Sequence, residues 1–246
     1  MECGYSENSG GWYTMKQNSG RKSKMQEKTI SDSEKNTLKG SLAKTVLPSL
    51  NILDLYSGFG GWIEPWIKSN VYRVSIDAVD LIKRNPAVNH LIDAREFKTK
   101  KEYDIFYASP PCNTYFSRIR QINKKPITKD DIKTAKELAE LSFKYGEKAK
   151  LCYIIENPAT GLMTELYDNY QIVDYSMYGF PMRKRTAIWS NIKFNFKLQD
   201  SIKYNDTQIG KLTVEQRNKI PWKLSRYVKW MICNTYYKQL QEFKNE

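Results

Sequence analysis

The alternation of apolar and polar positions changes character near residue 50. Residues 1–46 are rich in Ser, Asn, Lys, Gln and Gly and carry no periodic apolar pattern. Such a segment cannot bury enough surface to offset its chain entropy, so it reads as a disordered or loosely held basic arm. From Asn51 the pattern is that of strands alternating with helices. Asn51–Leu55 reads as a buried strand, and a glycine turn and a helix over Trp62–Lys68 follow, with Pro65 suited to a first turn. Val71–Ile76 reads as a second strand ending at Asp77, His90–Ile92 as a short third ending at Asp93, and Asp104–Ala108 as the fourth. Thr128–Lys148 has helical periodicity, with Ile132, Ala135, Leu138, Ala139, Leu141, Phe143 and Tyr145 near one face and Thr128 or Asp130 as caps.

Leu151–Ile155 reads as a fifth strand, with Gln171–Met177 and Thr186–Trp189 as two more. This order predicts an α/β domain over residues 47–190, a doubly wound and mostly parallel Rossmann-like sheet. Residues 191–246 are basic and aromatic. They read as a small helical extension packed on that domain, with helices over Val214–Ile220 and Ser225–Gln241 and Pro221 between them. Trp222, Tyr227 and Trp230 at helical spacing read as core, with base stacking as the alternative.

Charge narrows the partner. The chain of 246 residues has a formal net charge of +13, and such an excess of Lys and Arg suits a polyanion such as nucleic acid. Four widely spaced cysteines, no CxxC pair and the single histidine, His90, speak against a zinc site and a disulfide framework. No run approaches about 18 apolar residues, which together with the cysteine usage predicts a soluble, intracellular monomer.

Two turns carry candidate chemistry. Asp54-Leu55-Tyr56-Ser57-Gly58-Phe59-Gly60-Gly61 follows the first strand, and its glycines let backbone approach a ligand at a helix N-terminus. The spacing is not GxGxxG, and the turn holds no Lys or Arg for phosphate, which suits a nucleoside such as S-adenosylmethionine. Asp77 would accept from ribose hydroxyls and Asp93 from an adenine amino group, with loop acids or helix caps as the plain alternative. The second turn is Ser109-Pro110-Pro111-Cys112-Asn113-Thr114, after the fourth strand. Cytosine is electron-poor at carbon 6, where a thiolate adds if an acid holds nitrogen 3, and carbon 5 then becomes nucleophilic. Cys112 is the candidate thiolate and Glu156, expected on the turn after strand five, the candidate acid. Cys152 and Cys233, in apolar runs, read as core.

With these residues the chain resembles the cytosine-5 DNA methyltransferases. The stretch from Asp54 to Gly61 looks like their cofactor motif, and Ser109-Pro110-Pro111-Cys112 with Phe116-Ser117 looks like their catalytic loop. Glu156-Asn157-Pro158 is similar to their Glu-Asn-Val, and Tyr178-Gly179-Phe180-Pro181-Met182-Arg183-Lys184-Arg185 to their basic motif. The resemblance implies S-adenosylmethionine as cofactor, a flipped cytosine in duplex DNA as substrate, Cys112 as nucleophile and Glu156 at nitrogen 3. It also implies Phe59, Asp77, Asp93 and Pro110 near the cofactor, and Arg183 and Arg185 as the basic pair. Met182 stands where the family has Gln, and in the ungapped register Lys184 and Thr186 stand where it has its two Arg.

The long target-recognition region is not evident, and Leu212-Thr213-Val214-Glu215 only faintly echoes a later motif, so the whole resembles the compact phage and large-virus members. That implies a short target and leaves restriction protection among the possible roles. Three other readings stay open: amino-methylation of cytosine or adenine, whose loop Ser109-Pro110-Pro111 fits except for an aromatic at Cys112; carbon-5 methylation of tRNA; and an inactive DNA-binding remnant.

Overall fold

The computed structural model describes residues 49–112, 128–196 and 212–236, all within one unit, Leu47–Glu246. The expectations for residues 1–46 and for Phe116-Ser117 lie outside the described residues. The described chain builds a seven-stranded sheet of β1 (Ser49–Leu55), β2 (Arg73–Asp80), β3 (His90–Leu91), β4 (Ile105–Ala108), β5 (Cys152–Pro158), β6 (Tyr170–Asp174) and β7 (Arg185–Ser190). Its order is β3-β2-β1-β4-β5-β7-β6. The first five strands pair in parallel, and β7 runs antiparallel to both β5 and β6. The expected α/β, doubly wound, mostly parallel Rossmann-like sheet is thus present.

Alternation along the strands divides the core between the two faces of the sheet. Leu50, Ile52, Ile105, Tyr107, Cys152 and Ile154 pack with Trp62, Trp66, Leu224, Val228 and Ile232. Leu53, Leu55, Phe106, Ala108 and Ile155 pack with Ala135, Ala139, Met163 and Trp189. The first face is covered by α1 (Glu64–Ile67) and by α5 (Trp222–Thr235), which follows the short α4 (Val214–Asn218). The second is covered by α2 (Lys129–Gly146) and α3 (Leu162–Leu166). The N-terminus of α2 is closed by a capping box in which the Thr128 hydroxyl accepts from the Asp131 N–H and the Asp131 carboxylate accepts from the Thr128 N–H.

Four of the boundaries that differ from the sequence reading have a clear physical reason or consequence. β2 runs three residues past Asp77 to Asp80, because Ala78 and Val79 continue the ladder opposite Asp54 and Leu55. β5 extends through Glu156 and Asn157 because β7 pairs with it antiparallel, so both residues sit in a strand and not on a turn. β6 stops at Asp174, whose side chain accepts from the Ser176 N–H and caps a 3-10 turn over Tyr175–Tyr178. α5 begins at Trp222, and its buried stripe is Leu224, Val228 and Ile232, whereas Trp222 and Tyr227 are half-buried and Trp230 is exposed. The core reading is corrected for Trp230, while Tyr227 packs against the core from its margin.

The segment leading into α5 seals the glycine turn. A Cβ added at Gly61 would lie 2.7 Å from Cβ of Ile220, closer than real side chains approach. Gly61→Ala should therefore destabilise the protein by about 1–3 kcal/mol in urea unfolding, since overpacking forces neighbours to shift. An unchanged midpoint would contradict this close approach.

Candidate functional site

Two loops meet at the carboxyl ends of β1, β4 and β5. After β1 the backbone turns sharply: Tyr56, Gly58 and Gly60 all have positive φ, at 59°, 52° and 71°. For Tyr56 this is the region that disfavours side chains. The turn is held from inside. The Ser57 hydroxyl donates to Asp54 Oδ2 at 2.7 Å, the Ser57 N–H to the Val79 carbonyl at 3.1 Å, and the Gly60 N–H to the Ser57 carbonyl at 2.8 Å. Asp54 is buried, and burial pushes its carboxyl up to about 7; Asp80 adds to the rise and the Ser57 hydroxyl opposes it.

Asp80, not Asp77, is the acid at the end of β2. Its Oδ2 accepts from the Gly58 N–H at 2.8 Å and its Oδ1 from the Ile82 N–H at 2.9 Å. Leu81 and Ile82, the next two residues, are 67% and 53% exposed. Asn85 braces the turn: its amide donates to the Gly58 carbonyl at 2.8 Å and its side chain lies over Gly60. Phe59 is half-buried in the same turn, with the Arg84 guanidinium 6.0 Å from its ring centroid.

The structure brings Asp54, Ser57, Gly58, Phe59, Gly60 and Gly61 together in this turn, while Asp77 and Asp93 both have protein partners of their own, Asp93 within electrostatic reach of Tyr56. Asp77 is held by His90 at 3.0 Å and by Lys101 and Tyr103 at 2.8 Å each. Burial raises the Asp77 carboxyl, but these hydrogen bonds outweigh it and hold it below the usual range. Asp93 is held below that range by Arg95, which donates from Nε and Nη2 at 3.0 and 2.7 Å. Both carboxylates are thereby engaged by protein groups. Asp80 was missed because the second strand was ended at the first acid. The apolar pair Ala78-Val79 beyond it, followed by an acid and Leu81-Ile82, is the signal that points to it.

The second loop is tied to both neighbours. The Trp62 indole N–H donates to the Ser109 hydroxyl at 3.2 Å, linking the glycine turn to the Pro-Pro-Cys loop. The Asn157 amide donates to the carbonyl of buried Pro110 at 2.9 Å, linking that loop to β5. Glu156, one residue earlier on β5, is buried and accepts from the Tyr175 hydroxyl at 3.0 Å. Lys184 Nζ lies 4.6 Å from the Tyr175 ring centroid and donates to the Arg217 carbonyl at 2.8 Å. Cys112 shares this corner and is half-buried. Burial pushes its thiol up to about 11; the Glu156 carboxylate adds to the rise, and the Lys184 ammonium opposes it.

Arg183 and Arg185 do not join this group. Arg183 Nε is 3.4 Å from Asp174 Oδ2, and Arg185 is exposed at the start of β7. Side chains alternate along a strand, so Lys184 and buried Thr186 fall on the inner side, as the ungapped register anticipates. Asn157 Oδ1, on the opposite face of β5 from Glu156, is buried without a hydrogen-bond partner among the described residues, whereas the Thr186 hydroxyl lies beside that of Tyr175. Tyr175 had no signal in the sequence analysis. Among the described residues no group of three or more His, Cys, Asp or Glu could hold a metal ion, and no helix is long and apolar enough to cross a membrane.

No family model matches the chain, and no curated protein does. Among solved structures, the Dnmt2 methyltransferase of S. pombe aligns at 17% identity over 66% of this chain and 54% of its own, with a TM-score of 0.39. A putative ribosomal RNA methyltransferase from Plasmodium falciparum aligns at 15% identity over 64% and 95%, TM-score 0.35. A putative class I S-adenosylmethionine-dependent methyltransferase from Listeria monocytogenes aligns at 11% identity over 77% and 71%, TM-score 0.34. The chain spans about half the length of the Dnmt2 structure. Likeness at this level bears on neither reaction nor substrate, which have to be argued from the site.

The thiol makes a direct prediction. At neutral pH Cys112 is protonated, so its alkylation by iodoacetamide, followed by peptide mass spectrometry, should rise about tenfold per pH unit and level off near about 11. Glu156→Gln removes a charge that disfavours the thiolate and should speed alkylation at any pH below that. Lys184→Ala removes a charge that favours it and should slow it. A rate independent of pH would contradict the described environment.

Proposed function

We propose that this chain is an S-adenosylmethionine-dependent methyltransferase that methylates carbon 5 of cytosine in DNA through a covalent Cys112 adduct. The observation that carries the reading is that the half-buried Cys112 thiol lies within electrostatic reach of the buried Glu156 carboxyl group and the half-buried Lys184 ammonium, at the ends of the adjacent strands β4 and β5. The site residues, their roles and the division of the chain into an arm, a catalytic domain and a C-terminal contact region belong to this proposal.

The residues at the first turn fit the nucleoside part of the cofactor. Each Asp80 oxygen holds one backbone N–H and keeps lone pairs for ribose hydroxyls. Exposed Leu81 and Ile82 offer an apolar surface for a base, and Gly58 and Gly60 let backbone come close. When bound, the cofactor supplies an electrophilic methyl group on a sulfonium.

The protein's part is proton placement. In the free protein burial and the nearby Glu156 carboxyl group keep one proton on the Cys112 thiol. As the sulfur adds to carbon 6, that proton passes by way of Glu156 to nitrogen 3 of the base. The carbon–sulfur bond forms, nitrogen 3 gains the proton, and Glu156 ends as it began. Electron density released into the ring makes carbon 5 the nucleophile. Carbon 5 then takes the methyl group that the cofactor supplies and gives up its proton to solvent water; as the Cys112 thiolate, stabilised by Lys184, leaves carbon 6, the proton on nitrogen 3 returns through Glu156 to the sulfur and the aromatic ring is restored. The net charge of +13 supports a polyanionic substrate.

The test is methyl transfer to duplex DNA and to tRNA side by side, with nucleoside analysis of each product. The expected product is 5-methylcytosine in DNA. Methyl on an exocyclic nitrogen, or label confined to tRNA, would overturn the corresponding part of the proposal. Cys112→Ala should lower transfer by about 1000-fold or more with the fold and cofactor binding kept. Glu156→Gln should lower it by about 100- to 10,000-fold. Wild-type rates in either variant would remove the role assigned to that residue.

A further inference from the structure

Tyr175 is fully buried, and its hydroxyl donates to Glu156 Oε1 at 3.0 Å. A buried tyrosine always seeks an acceptor, and a main-chain carbonyl would satisfy it. Here the acceptor is the carboxyl group that faces the reactive thiol. The phenol is held firmly in that pose. The Tyr175 N–H donates to the Lys184 carbonyl at 3.0 Å, and its carbonyl accepts from the Phe180 N–H at 3.1 Å. The Phe180 ring meets its ring edge-on at 6.0 Å between centroids. The Lys184 ammonium lies over its face at 4.6 Å, where a cation draws density from the ring and strengthens the O–H as a donor.

We infer that Tyr175 is a positioning residue: its hydroxyl holds Oε1 of Glu156, so that Oε2 is left to pass the proton to the base. The inference rests on the role of Glu156 in the reaction proposed above. The phenol keeps its own proton throughout and can donate to Oε1 whether Oε2 is bare or protonated, so no proton is gained or lost at Tyr175. The groups around Glu156 come from three neighbouring segments: Cys112 after β4, Tyr175 on the 3-10 turn, and Lys184 and Thr186 on either side of the first residue of β7. Of these, Tyr175 supplies the direct hydrogen bond to Oε1.

The test is a double-mutant cycle on Tyr175→Phe and Glu156→Gln with two readouts. In methyl transfer, Tyr175→Phe should lower kcat by about 10- to 100-fold, the loss of one hydrogen bond to a charged group, with KM for DNA and cofactor unchanged. Added to Glu156→Gln it should cost nothing more. A wild-type kcat, a loss confined to KM, or losses that multiply would overturn the inference. The second readout, the rate of Cys112 alkylation by iodoacetamide, needs no methyl transfer. Tyr175→Phe should change that rate in the presence of Glu156 and leave it unchanged in the Glu156→Gln background. The same change in both backgrounds, or in neither, would overturn it. If wild-type protein transfers no methyl to any cytosine, the proposed reaction fails, while the alkylation cycle still decides whether Tyr175 holds Glu156. Should Tyr175→Phe not fold, 3-fluorotyrosine at position 175 keeps the shape and strengthens the donor. The Cys112 alkylation rate should then change with Glu156 present and stay unchanged in the Glu156→Gln background, and the same change in both, or in neither, would overturn the inference.

Discussion

Burial and a neighbouring carboxyl group both oppose the negative charge of a thiolate, and the chemistry argued for this protein turns on that constraint at Cys112. Burial and the neighbouring Glu156 carboxylate hold the Cys112 thiol at about 11 in the free protein. A resting enzyme with its nucleophile protonated looks inert, yet the arrangement stores the proton where the proposed reaction needs it. Addition of sulfur to the ring and protonation of nitrogen 3 consume one thiol proton and return Glu156 to its starting state. Lys184 sits on the other side of the balance, favouring the thiolate when it must leave.

The fold supplies this corner by the way its strands end. β4 and β5 run in parallel, so the loop carrying Cys112 leaves the same edge of the sheet as Glu156. The antiparallel β7 then carries β5 past the end of its pairing with β4, keeping Glu156 and Asn157 in regular strand geometry. Asn157 ties that strand to Pro110, and Trp62 ties the glycine turn to Ser109. Asp174 does similar work from the far side, with Oδ1 accepting from the N–H groups of both Ser176 and Lys184. The glycine turn, the Pro-Pro-Cys loop and β5 are therefore linked in series by two side-chain hydrogen bonds.

How much of this was legible in the sequence differs from residue to residue. The glycine turn, the Pro-Pro-Cys loop and Glu156-Asn157 could be read because each is a local signal beside an apolar run. The doubly wound sheet was legible for the same reason, from the order of its elements. Asp80 was hidden because the end of β2 is decided by its ladder to β1, which no local pattern reports. The choice between Arg183 with Arg185 and Lys184 with Thr186 depends on where β7 begins relative to β5 and β6. One residue of register exchanges the inner and outer sets. Tyr175 was invisible because its role comes from a 3-10 turn that follows β6, where the sequence pattern continued the strand. In α5 the aromatic positions drew the core reading, whereas the aliphatic stripe of Leu224, Val228 and Ile232 fills the interior.

The most direct measurement of the central claim is covalent trapping on duplex DNA containing 5-fluorocytosine. After methyl transfer the fluorine cannot leave carbon 5 as a proton does, so the bond between sulfur and carbon 6 persists. With S-adenosylmethionine present, the account predicts a denaturant-resistant protein–DNA complex whose cross-link maps to Cys112. No complex across a pool of DNA sequences, or a complex that survives in Cys112→Ala, would contradict it.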